Sequence, residues 1–226
     1  MPAAVIGKSV LGRPIEMYSF GNVEGGGQGG RPVLVMGAIH GDEPTSADVS
    51  RGLLAELQRD PSLVGGVPVV IIPVANPDGL AMKTHTNLRK VDLNRNFPAR
   101  NWGEKARGRQ IRGGTRAASE LETQALIAII ERLQPRLIIT VHSISDGKQC
   151  NNYDGPARSV AELMSRHNGY PAAATIGYPT PGSLGNWGGN DKQIPMITLE
   201  LPRSLPASRA WPDNRAGVLA AIGAVK

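Results

Sequence analysis

The stretch "VLVMGAIHGDEPTSADVSRGLLAEL", residues 33–57, decides how the rest of the chain is read. It opens as an unbroken apolar run of strand length, stops at His40-Gly41-Asp42-Glu43, and resumes with a helix-like pattern through about residue 59. A chain that leaves a buried strand and enters a helix folds back on itself at the junction. His40 and Glu43, separated by two residues at that turn, can therefore converge on one ion. A zinc site built for hydrolysis needs three protein ligands and an open position for water, and two histidines with one glutamate form an established set.

Strand-length apolar runs recur at "VPVVIIPVAN" (67–76), "PRLIITVHS" (135–143) and "IPMITLELP" (194–202), each ending in a turn or polar cluster. Between the second and third lies "SELETQALIAIIERLQ" (119–134), a helix-like stretch with Ser119 and Glu122 at capping-box spacing. This alternation predicts an α/β fold with at least some parallel strands, whose loop ends are the usual place for a site. A chain of 226 residues suits one domain, residues 1–226. The run "GGGQGG" (25–30) satisfies G-x-G-x-x-G formally. A second strand follows it where a dinucleotide site needs a helix, so it reads as a flexible hairpin loop.

The formal net charge of +6 admits nucleic acid, an anionic surface or small acidic substrates. Residues 101–118, "NWGEKARGRQIRGGTRAA", read as a mobile basic loop with no aromatic interleaved among its basic residues, so nucleic-acid binding is the weaker reading. It would show as a steep salt dependence of DNA or RNA affinity. A single cysteine, Cys150, excludes an internal disulfide. No basic-then-apolar leader and no apolar run of about 18 residues is visible, which predicts a cytoplasmic chain without membrane insertion.

Of the four histidines, His40, His85, His142 and His167, two stand where apolar strands run out. His142, ending "LIITVHS", is a candidate third ligand if its strand lies beside the first. Glu200 is the lone acid in an apolar run, where a carboxylate is costly without a task or partner, and it fits a general base that later protonates a leaving amine. In "VDLNRNFP", Asn94 and Arg95 place an amide beside a guanidinium, which suits a carboxylate clamp. Tyr178, in the Gly/Pro-rich "GYPTPGSLGNW", could move over a bound substrate.

In order and spacing, "GAIHGDEP", "NPDG", "VDLNRNFP", "VHS" and "ITLELP" resemble the zinc carboxypeptidase family over roughly residues 7–203. "VDLNRNFPARNW", "GYPTPGSLGNW" and the short length resemble its bacterial murein peptide amidase branch. The resemblance implies a mixed, mainly parallel sheet of about eight strands flanked by helices, with the site at the carboxyl ends of central strands. It implies one zinc held by His40, Glu43 and His142, Glu200 as general acid/base, Asn94 and Arg95 on the substrate carboxylate, and Tyr178 as a mobile cover. The implied substrate is a small acidic cell-wall peptide, cut between γ-D-glutamate and meso-diaminopimelate.

One position departs from the pattern. Relatives read R-x-N-x-x-G before "VDLNRNF", and that arginine steadies the oxyanion; here "HTNLRK" puts His85 at the arginine and Lys90 at the glycine. Three readings follow: His85 donates in its place, which is favoured; Arg89 reaches in from nearby; or turnover is slow or the substrate changed. Two other functions stay open. One is an N-acyl amino acid deacylase of the aspartoacylase or succinylglutamate desuccinylase kind, which shares fold and ligand motif. The other is a muropeptide-binding protein with impaired catalysis.

Overall fold

Four of the apolar runs become neighbouring strands at the centre of one sheet. The computed structural model describes residues 3–23, 30–103 and 112–225. In chain order the strands are β1 (Ala4–Lys8), β2 (Pro14–Phe20), β3 (Val33–Met36), β4 (Val69–Ile72), β5 (Leu137–Ile144), β6 (Cys150–Asp154), β7 (Ala172–Ala173) and β8 (Met196–Pro202). The helices are α1 (Pro44–Arg59), α2 (Pro77–Met82), α3 (Leu121–Leu133), α4 (Arg158–Asn168) and α5 (Ala207–Gly223). The eight strands lie in the order β1-β2-β4-β3-β5-β8-β6-β7. The central β4, β3, β5 and β8 are mutually parallel, while β2 and β6 run antiparallel at their flanks. Strands β3, β4 and β5 are buried along their whole length, as a sheet covered on both faces requires.

Successive strand residues face opposite sides. Val33, Val35, Leu137, Ile139, Val141, Ile197 and Leu199 pack with Val49, Leu53, Leu57 and Val218 of α1 and α5. Leu34, Met36, Ile138 and Met196 pack with Leu126, Ile129, Ile130, Phe97 and Trp187 on the other side. On this second face β5 and β8 pair in register as Ile138–Met196, Thr140–Thr198 and His142–Glu200 when read every other residue, adding two to each number. The face therefore changes from apolar to hydroxyl to ionisable toward the carboxyl ends of the strands. Thr140 Oγ1 donates to Thr198 Oγ1 at 3.3 Å midway along that gradient.

Two local expectations need correction. The strands on either side of "GGGQGG" do not form a hairpin, because β4 lies between β2 and β3; residues 25–29 themselves fall outside the described residues. The capping box at Ser119 and Glu122 does not form either. Helix α3 starts one residue later, with Glu120 at the cap position and no side-chain cap bond. Its Glu120 N–H is taken by Asn96 Oδ1 at 3.1 Å, while Ser119 Oγ donates to Glu120 Oε1 at 2.6 Å.

Glu122 is diverted because a neighbouring loop uses it. Asn87 Nδ2 donates to Glu120 Oε2 at 2.8 Å and to Glu122 Oε2 at 3.3 Å. The same side chain accepts from the Arg89 and Val91 N–H groups, at 3.0 and 3.1 Å, which fixes the loop carrying His85. Glu122 is fully buried. Burial, opposed by the backbone N–H groups of Glu122 and Val10 and by the Asn87 bond and reinforced by Glu120, raises its carboxyl above the ordinary glutamate range. A carboxyl that binds its proton more tightly when folded contributes stability that is lost as pH rises through the folded pKa. Glu122→Gln should therefore gain stability relative to the parent between about pH 4 and about pH 8, read as urea midpoints at both ends.

Candidate active site

The junction between β3 and α1 is built by close backbone approach. Ala38 takes a left-handed φ of 50°, steadied by its N–H on Ser46 Oγ at 2.9 Å and its carbonyl on the Asn76 N–H at 2.9 Å. Asn76 caps α2 by accepting from Gly79 N at 2.9 Å, and its Nδ2 donates to the Ile39 carbonyl at 3.2 Å. "NPDG" thus starts a helix that braces the residue before His40. Gly41 packs so tightly on this helix that an added Cβ would be driven into the backbone of Gly79. The glycine of H-G-D-E is set by that contact, which lets His40 and Glu43 face the same point.

His40 and Glu43 meet His142 because β5 lies directly beside β3. His40 Nδ1 is 3.1 Å from Glu43 Oε1, His142 Nδ1 is 3.2 Å from His40 Nδ1, and His142 Nδ1 is 3.3 Å from Glu43 Oε2. The other demand on Glu43 is the Ser143 N–H, which donates to Oε2 at 3.0 Å. All three side chains are buried. Donor atoms at about 2.0–2.1 Å from a tetrahedral zinc stand about 3.3 Å from one another, and the spacings here, with one Glu43 oxygen toward each histidine, are of that order.

Around the trio lie carboxylates. Asp92 Oδ1 stands 3.1 Å from His40 Nε2 and accepts the Asn94 N–H at 2.9 Å. Burial lowers the His40 pKa, but the charges of Glu43 and Asp92 outweigh it and raise the ring to about 10. Burial acts to raise Asp92, yet His40 and His85 hold it well below the ordinary aspartate range. A carboxylate on the far nitrogen of a ligating histidine fixes its tautomer and ring orientation. The sequence reading quoted Asp92 within "VDLNRNFP" and gave it no role; an acid flanked by Val91 and Leu93, both buried, was the available signal.

Glu200 sits in register between His142 on β5 and Cys150 on β6. Burial pushes its carboxyl above the ordinary range, aided by Glu43 and opposed by His142, His40 and Arg203. Burial and the nearby Glu200 charge also raise the Cys150 thiol to about 11, which keeps it protonated.

His40, Glu43, His85, His142, Glu200, Asn94, Arg95 and Tyr178 all line a single cavity of about 680 Å³. Arg112, Lys148 and Arg203, which the sequence reading did not single out, line it as well. Asn94 Oδ1 accepts the Leu184 N–H at 2.9 Å, leaving its amide NH₂ as the donor, and Arg95 Nη1 donates to the Asn94 carbonyl at 2.6 Å. Arg203 faces Asp42 and Glu43 at 3.8 and 3.7 Å. Arg89, weighed above as an oxyanion donor, lies with Nη1 3.7 Å from Glu120 Oε2. Residues 104–111 of the basic loop fall outside the described residues, and no described helix is long and apolar enough to cross a membrane.

Two histidines, a glutamate and a buried acid at the strand ends of this sheet define a metallohydrolase, and the chain belongs to the zinc carboxypeptidase family, whose profile matches residues 3–209. It is a zinc-dependent peptidase or amidase with zinc as its cofactor. It is 33% identical over 208 residues to murein peptide amidase A of Vibrio campbellii, covering 87% of this chain and 77% of that protein. Murein peptide amidase A of Escherichia coli K12 is likewise 33% identical over 210 residues, covering 87% and 79%. Among solved structures, murein-tripeptide amidase MpaA from E. coli O157 superposes with a TM-score of 0.75 at 25% identity, over 99% of this chain and 91% of that one. A carboxypeptidase A from Helicoverpa armigera shares the fold, with a TM-score of 0.81 at 19% identity over 99% and 68% of the two chains.

Because the Gly41 contact is backbone on backbone, Gly41→Ala should destabilise the fold by about 1–3 kcal/mol. It should also lower the zinc content of the purified protein, measured by denaturant unfolding and metal analysis. Parent-like values for both would contradict the account of this junction.

Proposed function

We propose that residues 1–226 form one catalytic unit that hydrolyses the amide between γ-D-glutamate and meso-diaminopimelate in murein peptides. The observation that carries the reading is the convergence of His40, Glu43 and His142 donor atoms within 4.8 Å of one another, one strand away from a buried Glu200. In this reading those three side chains hold the zinc. When bound, zinc supplies a Lewis acid that polarises the carbonyl and acidifies water.

Glu200 takes the proton from water as its oxygen adds to the γ-glutamyl carbonyl carbon. The C–N bond then breaks, and Glu200 passes that proton to the departing diaminopimelate amine, so acid and base are one group used twice. Its burial suits the second half of the cycle, because a raised pKa makes the protonated form a competent acid near neutrality. Arg95 and the Asn94 amide hold the diaminopimelate carboxylate, and Tyr178 covers the bound peptide. Arg112 and Lys148 line the same cavity, and their positive charge suits a substrate rich in carboxylates. The 33% identity to murein peptide amidases supports the same choice of substrate.

The test is liquid-chromatography mass spectrometry of L-Ala-γ-D-Glu-meso-diaminopimelate incubated with zinc-loaded protein. Free diaminopimelate should appear with the parent, and Glu200→Gln should lower kcat by about 100-fold to 10,000-fold. Hydrolysis of N-acyl amino acids in preference to the tripeptide would overturn the substrate assignment, and tripeptide binding without turnover by zinc-saturated parent would overturn the enzymatic one. Glu200 must be ionised to accept the first proton, so kcat/KM should fall as pH falls through its raised pKa. The acidic limb of the profile should lie above the ordinary glutamate value of about 4.3. Arg95→Ala should raise KM about 10-fold to 100-fold, the effect of losing charge-assisted hydrogen bonds of about 1.5–3 kcal/mol.

A further inference from the structure

His85 lies flat on His40, with ring centroids 3.7 Å apart and planes inclined by 22°. Its Nδ1 is 3.1 Å from Asp42 Oδ1, and its Nε2 is 3.5 Å from Asp92 Oδ2. Asp92 uses its other oxygen on His40 Nε2, at 3.1 Å. The side chains close a circuit: His40 to Asp92, Asp92 to His85, His85 to Asp42, and Asp42 by one peptide link to Glu43. The residues come from two loops, 40–43 after β3 and 85–92 before Asn94, and His85 ties one to the other.

The geometry points to His85 as a positioning residue that locks the orientation of His40. This inference rests on the reading of His40, Glu43 and His142 as the zinc ligands. An imidazole turns easily about its Cβ–Cγ torsion, which has only broad, two-fold preferences. Two restraints remove that freedom for His40. The Asp92 carboxylate fixes Nε2 from the edge, and the His85 ring blocks tilting from the face. With Nε2 directed at Asp92, Nδ1 is turned toward Glu43 and His142, at 3.1 and 3.2 Å. His85 supports both restraints, since it also contacts the free oxygen of Asp92.

The same contacts separate this role from donation to the substrate oxyanion. A neutral imidazole carries one N–H and an imidazolium two. His85 faces a carboxylate at each nitrogen, Asp42 at hydrogen-bond distance and Asp92 at 3.5 Å, so both edges of the ring lie against the cradle. The histidine that stands at the usual arginine position serves the metal's cradle.

The test uses the full-length zinc-loaded parent, His85→Phe and His85→Ala. It measures zinc release to excess chelator, zinc stoichiometry, and kcat and KM with the tripeptide in excess zinc. Outer partners of metal ligands typically change metal affinity about 10-fold to 100-fold. His85→Phe keeps a ring on His40 and loses both polar contacts, so it should release zinc about 10-fold faster, and His85→Ala faster still. With zinc restored, kcat should fall by less than about 10-fold, well short of the 100-fold to 1,000-fold loss expected for a lost oxyanion donor.

Zinc release unchanged in variants whose thermal unfolding matches the parent would overturn the inference. So would a kcat loss of about 100-fold with zinc retention intact, which would make His85 a donor in the reaction. Two zinc ions per parent chain, with one lost in both variants, would overturn it by making His85 a ligand. A His142→Ala control separates failures: if it keeps the parent's zinc, the ligand assignment has failed, and the role of His85 with it.

Discussion

Two imidazole nitrogens cannot rest 3.2 Å apart beside a buried carboxylate unless a proton or a metal ion lies among them. That constraint organises the centre of this protein. His40, Glu43 and His142 are each nearly excluded from solvent, so a positive charge shared among them offsets the cost of burying them. The surrounding carboxylates extend the same logic outward: Asp92 faces the far nitrogen of His40, and Asp42 faces His85.

The sheet supplies the placement. Parallel β3 and β5 bring the carboxyl end of one strand beside that of the next, and β8 adds Glu200 in register with His142. Because alternate residues share a face, Ile138, Thr140 and His142 form a graded column beside Met196, Thr198 and Glu200. Apolar contacts with α3, Phe97 and Trp187 anchor the lower part of that column, so its ionisable end is held by packing rather than by the charges themselves. Tyr178, Arg112 and Lys148 line the same cavity.

Much of this was legible in the sequence, for physical reasons that differ by element. The four central strands were visible because burial on both faces demands continuous apolar runs. Strands β1, β2 and β6 were not, since outside the four central strands burial is only partial along each run and "CNNYD" carries no strand signal. The hairpin expected at "GGGQGG" failed because local turn chemistry says nothing about β4 entering between β2 and β3. The capping box failed because Asn87 and Asn96, distant in sequence, outcompete Ser119 and Glu122 for each other. His40, Glu43, His142 and Glu200, which line one cavity, stood out because each interrupts an apolar context in a recognisable order. Asp92 and Asp42 were passed over because the histidines they face lie far away in sequence, and such a pairing leaves no periodic trace.

X-ray absorption at the zinc edge, on protein carrying one equivalent of zinc, reads the ligand set of this trio. A shell of nitrogen and oxygen donors at about 2.0–2.1 Å with two imidazoles is expected, reduced to one in His142→Ala. A sulfur donor at about 2.3 Å, which only Cys150 or a methionine could supply, would contradict it, as would an imidazole count unchanged by His142→Ala.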